Sequence, residues 1–388
     1  MVSIEEALKI IKNQPVKLKT ESRNLSDCLG FSLSDAISAS FDMPSFDNSA
    51  MDGYALCGIS KEYHIVGEVA AGDMGQFKLK QGEAVRIFTG AKVPGNTTAV
   101  IMQEKTKVNG DKLFLEQNPK EGQGIRKKGE ELRKGEVVFE KAYTITPAAI
   151  GLIGSLGINK VEVFNKPAIN LITTGNELIV PGKPKKTGQI YESNSYALAS
   201  VCEQFGFYCG NKMQIADDFE AIKAGINQSL KTTDMLILSG GISVGDYDFV
   251  KQALEENGVE EQFYKVFQKP GKPLYFGRKG EKFVFALPGN PASSLSCFYM
   301  YVLPFLYKMS GSSKFGLEPY NFPAIQDFEN RSDRPSFLKA KINNGKVEIL
   351  YGQKSSMIHS MALGNALAFL DTETSVKKGE PVKCYLIS

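Results

Sequence analysis

The stretch LSGGISVGDYDFVK, Leu238 to Lys251, poses a chemical problem. An apolar run, Met235 to Leu238, leads into Gly240, Gly241, Ser243 and Gly245. That composition suits a turn whose backbone N–H groups cradle an anion. Asp246 and Asp248 then stand where the anion would sit. Two carboxylates repel a phosphate unless a cation lies between them, and Mg²⁺ is commonly held by one or two carboxylates together with phosphate oxygens. The pattern points to a metal-bridged phosphate with Asp246 and Asp248 as metal ligands. Asp246 taken alone has the simpler reading of a helix cap, a role that Asp248 cannot share.

Other residues of the same kind follow apolar runs elsewhere. LITTGNELIV places Thr173, Thr174, Asn176 and Glu177 after a strand pattern, and FALPGNPASS places Pro288, Gly289, Asn290, Pro291 and Ser293 where a helix begins. A helix N-terminus after a glycine favours negative charge through its free N–H groups and its dipole. Two such cradles suggest a phosphate or pyrophosphate. Between them YKVFQKPGKPLYFG sets Lys265, Lys269 and Lys272 around a Pro-Gly turn, cations suited to phosphate. A second acidic stretch, DMPSFDNSAMDGYAL, carries Asp42, Asp47 and Asp52, which suit turns or a site equally well. Thr89 and Gly90 follow a further apolar run. Arg126, Lys127 and Lys128 beside Glu130 and Glu131 read as a solvated face or an anion clamp.

The elements that must position these residues change in texture along the chain. Residues 1–42 begin with an amphipathic helix, with Ser3 and Glu6 as a capping box and Ile4, Ala7, Leu8 and Ile11 as its apolar stripe. Residues 43–142 are short strands punctuated by Gly and Pro, a β-rich module. TPAAIGLIGSLGI reads as a helix with Thr146 at the N-cap and Pro147 at its first position. The expected division is a discontinuous helical domain (1–42 plus 143–167), the β-rich module (43–142), an α/β domain (168–312) and a C-terminal β-barrel (313–388). Strands alternating with helices over 168–312 predict a mostly parallel sheet covered on both faces, with ligands beyond its carboxyl edge. In the last region an Asn-Asn-Gly turn at 343–345 marks a hairpin.

The bulk numbers narrow the function class. The 388 residues include 46 basic and 43 acidic side chains, a net charge of +3, which argues against a general nucleic-acid binder. Six cysteines stand at 28, 57, 202, 209, 297 and 384 without a Cys-x-x-Cys pair, and the histidines are His64 and His359, so a zinc site is not expected. Reduced thiols and the absence of a signal-peptide pattern suggest a cytoplasmic protein, and no apolar stretch suits a membrane span. Acid–base work falls to carboxylates and lysines.

Eight segments in order resemble the molybdopterin molybdenumtransferase family (MoeA, with the gephyrin E domain and Cnx1E): DMPSFDNSAMDGYAL, RIFTGAKVPGNTTAVIMQE, IRKKGEEL, TTGNELIVPG, GQIYESNSYALA, LSGGISVGDYDFVK, FQKPGKPLYFG and LPGNPASS. The resemblance covers nearly the whole chain and is weakest after about residue 313. It implies a multidomain α/β plus β protein. Its parts are a three-layer α/β sandwich of the molybdopterin-binding, MogA-like kind, a discontinuous helical domain, a β-rich module and a C-terminal β-barrel. It also implies a homodimer whose site is shared between the α/β unit of one subunit and the β module of the other.

The implied reaction is Mg²⁺-assisted insertion of molybdate into adenylyl-molybdopterin with release of AMP. Matched motif to motif, Asp52, Glu177, Asp248, Lys265 and Lys269 fall on catalytic positions. Thr89, Asp217 or Asp218, Lys272 and the Pro288–Pro291 turn fall on substrate-binding ones, alongside Gly240, Gly241, Ser243 and Ser293. Asp246 and Asp248, with Glu177, would hold Mg²⁺; Lys265 and Lys269 would stabilise charge as the pyrophosphate breaks, and Glu177 could orient water or the pterin. Arg334 and Ser355 roughly match an anion patch for molybdate. Asp248, Glu177 and Lys265 are thereby expected to line one cavity. A molybdopterin adenylyltransferase and molybdoenzyme maturation proteins are the implied partners. Two departures stand out: Glu131 and Glu192 occur where the family usually has Asp. The alternative functions are a molybdopterin adenylyltransferase-like enzyme and a non-catalytic scaffold of the gephyrin type.

Overall fold

The computed structural model describes residues 1–73, 78–242 and 249–388. The chain forms two compact units: residues 1–34, 142–150 and 160–388, and residues 35–141 with 151–159.

The first unit is built on a six-stranded sheet. In chain order its elements are β1 (Ile169–Thr174), α1 (Asn194–Gln204), β2 (Cys209–Ile215), α2 (Phe219–Thr232), β3 (Met235–Ser239), α3 (Val250–Glu256), β4 (Glu260–Tyr264), β5 (Tyr275–Lys279), β6 (Lys282–Leu287) and α4 (Pro291–Cys297). The helix begun by α4 continues through a π-turn, Phe298–Val302, into Leu303–Met309. The sheet order is β2-β1-β3-β6-β5-β4, parallel from β2 to β6, with β5 and β4 antiparallel at one edge. Residues 265–274, with the three lysines, connect those two edge strands.

Alternation along the strands divides the core. Met235, Ile237, Phe283, Phe285 and Leu287 face α1, the long C-terminal helix and the N-terminal helix Ile4–Asn13. Leu236, Leu238, Val284 and Ala286 face α2 and α3. Because both faces are covered, β1 and β3 are buried along their whole length, and in β3 this shows as the apolar run Met235 to Leu238. Each such side chain contributes about 1.5–3 kcal/mol on leaving water.

The N-terminal helix carries the expected capping box, Ser3 with Glu6, and buries Ile4, Ala7 and Ile11. Thr146 Oγ1 accepts from Ala149 N at 3.2 Å and opens the helix Pro147–Ser155. The C-terminal part is a five-stranded antiparallel sheet whose ends meet where Ala324 bridges Val347. Its hairpin turns through Asn344 (φ 47°) and Gly345 (φ 70°), the left-handed pair that a two-residue turn requires.

The second unit is a six-stranded sheet of Ala99–Met102, Gly53–Leu56, Glu83–Ile87, Glu62–Val69, Lys112–Leu115 and Thr106–Asn109, in that order. Ala55 packs on one face and Leu56 on the other. All six cysteines are free, five of them buried and Cys57 half-buried. No helix among the described residues is long and apolar enough to cross a membrane.

Candidate functional site

The parallel strands end on one side of the sheet, and a cleft of about 560 Å³ opens there. It is lined by Thr173, Thr174 and Glu177 after β1, Asp217 after β2, Ser239 to Ile242 after β3, and Pro288 to Pro291 after β6. The connection after β1 leads to β2 on one side and the connection after β3 leads to the strands on the other, so the cleft sits where strand order reverses. Its size suits a small organic ligand.

Glycine is required in its floor. Gly240 and Gly241 have φ of +100° and +61°; a Cβ on Gly240 would lie 2.5 Å from the Thr174 carbonyl oxygen, and one on Gly241 would lie 2.7 Å from Val250 Cγ2. The turn therefore rests directly on the end of β1. The Thr174 hydroxyl beneath it is buried and has no partner among the described residues.

Sequence alone left Asp217 and Asp218 interchangeable, and geometry separates them. Asp217 lines the cleft, where its carboxylate accepts from Asn176 N at 3.2 Å while Asn176 Oδ1 accepts from Asp217 N at 3.1 Å. Asp218 is the N-cap of α2, its carboxylate accepting from Ala221 N at 2.8 Å, and it does not line the cleft.

Glu192, one of the two departures, is almost fully buried, and its carboxylate takes both the N–H (2.8 Å) and the hydroxyl (2.6 Å) of Ser195. The longer side chain thus caps α1, since Ser193 at the N-cap makes no capping bond. Glu131 is exposed in the other unit and lines a groove with Arg126 and Glu130.

The lysines stand apart from this cleft. Lys265, Lys269 and Lys272 do not line it; only Pro273 of that loop does. Lys265 holds φ +67° and lays its ammonium 4.7 Å from the Tyr264 ring centroid, and the Tyr264 hydroxyl donates to Ile242 O at 3.1 Å on the cleft wall. Lys265 thus packs on Tyr264, and neither residue lines the cavity that Lys265 is expected to share with Glu177. Lys269 is exposed and joins by backbone bonds to Pro335 and Phe337. Arg334 donates to the Gln268 carbonyl at 3.1 Å and pairs with Asp333. Ser293 is buried inside α4. Ser355 Oγ accepts from Asn290 Nδ2 at 3.1 Å, and its neighbour Ser356 reaches the cleft. Ser243, Asp246 and Asp248 lie outside the described residues, so the cavity reading stands on Glu177 and Asp217 among the carboxylates.

In the second unit Asp52 accepts from Thr89 N (2.8 Å) and Thr89 Oγ1 (2.7 Å), and these two bonds, the backbone one first, hold its carboxyl below the usual range. Gly53 follows because a Cβ there would lie 1.9 Å from Ile101 O. Asp47 pairs with Lys127 (2.9 Å) and Asp42 with Lys128 (3.3 Å). Two of the three cations of the basic run are thereby engaged by the acidic stretch itself.

Sequence reasoning assigns no role to Ser356, which lines the cleft, or to Lys339, which supports the loop beside it; Asn194, also on the cleft wall, stands in the segment GQIYESNSYALA without a role of its own. Lys339 is 2% exposed and donates to the carbonyls of Gly352, Lys354 and Met357 at 2.6, 2.9 and 3.1 Å, fixing the loop that brings Ser355 and Ser356 forward. A lysine in an otherwise apolar strand, SFLKA, was the available signal.

Comparison with known proteins agrees with this geometry. Residues 2–157 match the MoeA N-terminal region (domain I and II), 170–308 a probable molybdopterin binding domain, and 322–387 the MoeA C-terminal region (domain IV). A molybdopterin molybdenumtransferase of Haemophilus influenzae is 33% identical, with 98% of each chain covered. One from Nostoc is 32% identical, covering 98% of this chain and 93% of that protein. The crystal structure of a molybdopterin biosynthesis MoeA protein from Pyrococcus horikoshii superposes over all of both chains with a TM-score of 0.85 at 29% identity. With family matches spanning the chain from its first helix to its last strand, it belongs to the MoeA family of molybdopterin molybdenumtransferases.

Proposed function

We propose that this molybdenumtransferase of cofactor biosynthesis inserts molybdate into adenylyl-molybdopterin. The dithiolene sulfurs take the metal, water cleaves the phosphate–adenylate bond, and AMP leaves. The observation that carries this reading is the cleft itself. The Gly241 N–H takes no partner among the described residues, while the Gly240 N–H donates to the Leu287 carbonyl at 3.2 Å, and Glu177 and Asp217 line the same cleft. Such a wall suits a ligand with both phosphate and heterocyclic N–H groups.

The donor set fits Mg²⁺ rather than a softer metal, being carboxylate oxygen without thiol or imidazole. No group of three or more His, Cys, Asp or Glu that could hold a metal ion occurs among the described residues, so substrate oxygens and Asp246 or Asp248 would complete a site begun at Glu177. Mg²⁺, when bound there, would neutralise phosphate charge. Glu177 orients water or the pterin, and Asp217 holds the β1 loop through Asn176, whereas Lys265 and Lys269 stand outside the cleft lining. The family resemblance supports a homodimer whose second copy brings Asp52 and Thr89 to the site. The protein acts in the cytoplasm, receiving its substrate from an adenylyltransferase.

The test is to incubate the purified protein with adenylyl-molybdopterin, molybdate and Mg²⁺ and follow AMP. Molybdate-dependent release is expected. Pyrophosphate formed from molybdopterin and Mg-ATP, without such release, would replace this reading by the adenylyltransferase one.

A further inference from the structure

We propose that Asn194 reads the N–H edge of the substrate's heterocycle through its side-chain carbonyl; this rests on the cleft being the site of an adenylylated pterin. Asn194 is the first residue of α1 and lies half-buried on the cleft wall. Its amide can take only one orientation. Nδ2 lies 2.8 Å from the Gly289 carbonyl oxygen, which can only accept. It also lies 2.9 Å from Ser239 Oγ. That hydroxyl is 3.2 Å from the Pro288 carbonyl oxygen, which again can only accept, so its proton points there and its lone pair faces Asn194. Both amide protons are consumed in joining α1 to the ends of β3 and β6. Oδ1 is left fixed on the other branch. It takes no hydrogen bond from the described residues and is not a buried atom, so it stands as an open acceptor on the wall.

An acceptor fixed in this way discriminates. Molybdate and phosphate near neutral pH offer oxygens that it repels. The amino and ring N–H groups of a pterin, or the amino group of adenine, are donors that it can take. Glu177 and Asp217 add to the acceptor character of the same cleft, which assigns the phosphates to the Gly240–Gly241 turn and the heterocycle to the Asn194 wall. A side-chain acceptor held in one orientation favours ligands that present an N–H to it over analogues that lack one.

The experiment titrates wild type, Asn194→Ala and Asn194→Asp with molybdopterin and, separately, with AMP, and records Tm for each protein. The alanine variant is expected to weaken one of the two ligands about tenfold or more and to leave the other within about twofold. The ligand that loses affinity identifies the heterocycle being read. Asn194→Asp keeps an oxygen in the place of Oδ1 but sets its second oxygen against the Gly289 carbonyl, so it should recover part of that affinity and leave the other ligand within about twofold. A merely structural role predicts the reverse: both ligands weakened together with a fall in Tm, and aspartate no better than alanine. That result, or unchanged affinities in both variants, overturns the proposal. Wild-type protein that binds neither ligand overturns the functional reading and this proposal with it, whereas wild-type binding with indifferent variants overturns this proposal alone.

Discussion

Asn290 Nδ2 donates to Ser355 Oγ across 3.1 Å, tying the turn after β6 to a loop of the C-terminal barrel. The bond is exposed, so its net worth is only about 0.5–1.5 kcal/mol. Its consequence is positional, because Pro288 to Pro291 and Ser356 all line the cleft. Ser355→Ala should therefore change Tm little while lowering the rate of AMP release several-fold. A denaturation curve beside a steady-state assay checks both halves, and a large stability loss with unchanged kinetics would refute the positional role.

The turn after β3 is expected to be intolerant of any side chain. Gly241→Ala forces a Cβ into a φ of +61° against Val250 and the Thr174 hydroxyl, and Gly240→Ala forces one against the Thr174 carbonyl. Each should cost about 1–3 kcal/mol from backbone strain, and more from the clash, with loss of activity. Gly210→Ala, where the nearest atom would lie 3.5 Å away and φ is ordinary, is the control and should fold and act normally.

Adjacent aspartates should separate in their effects. Asp218→Ala removes the cap of α2 and should lower stability by about 1 kcal/mol while sparing kcat. Asp217→Ala breaks its pairing with Asn176 on the cleft and should lower kcat/KM well before it lowers Tm. Chemical denaturation and kinetics on both variants test the assignment, and equal effects would reject it.

Lys339 should make stability depend on pH in an alkaline window. Burial lowers its pKa from 10.5 to about 8. Between those values the unfolded chain binds more protons than the folded one, so stability from this group rises with pH across the window, and the burial penalty is fully present below about pH 8. The effect is at most on the order of a few kcal/mol, at about 1.4 kcal/mol per pKa unit. Relative to Lys339→Met, the wild-type urea midpoint should climb from pH 8 toward pH 10.5. A constant difference between the two proteins would show that the ammonium is not buried in solution.

The family and many of the elements were legible in the linear chain because they depend on local sequence. Ser3 and Glu6 cap a helix through their own turn, Asn344 and Gly345 bend a hairpin through their own φ, and the apolar run Met235 to Leu238 of β3 reports burial on both faces. The eight ordered segments carried the family, and the alternation of strands and helices over 168–312 carried the expectation of a cleft at the carboxyl edge. Which residues face that cleft depended on contacts between segments distant in sequence. Asp217 and Asp218 differ by one position, yet one reaches Asn176 and the other turns back to cap its helix. Lys265 stands behind Tyr264 because its strand lies at the sheet edge, a pairing of 260–264 with 275–279 that no periodicity announces. Asn194, Lys339 and Ser356 acquire meaning only through partners some 13 to 95 residues away. Sequence determined the local turns, caps and buried strands, since backbone sterics and burial act within a few residues. Tertiary structure decided the membership of the site, because a hydrogen bond or a ring contact requires two groups within a few ångströms and chain distance carries no such information.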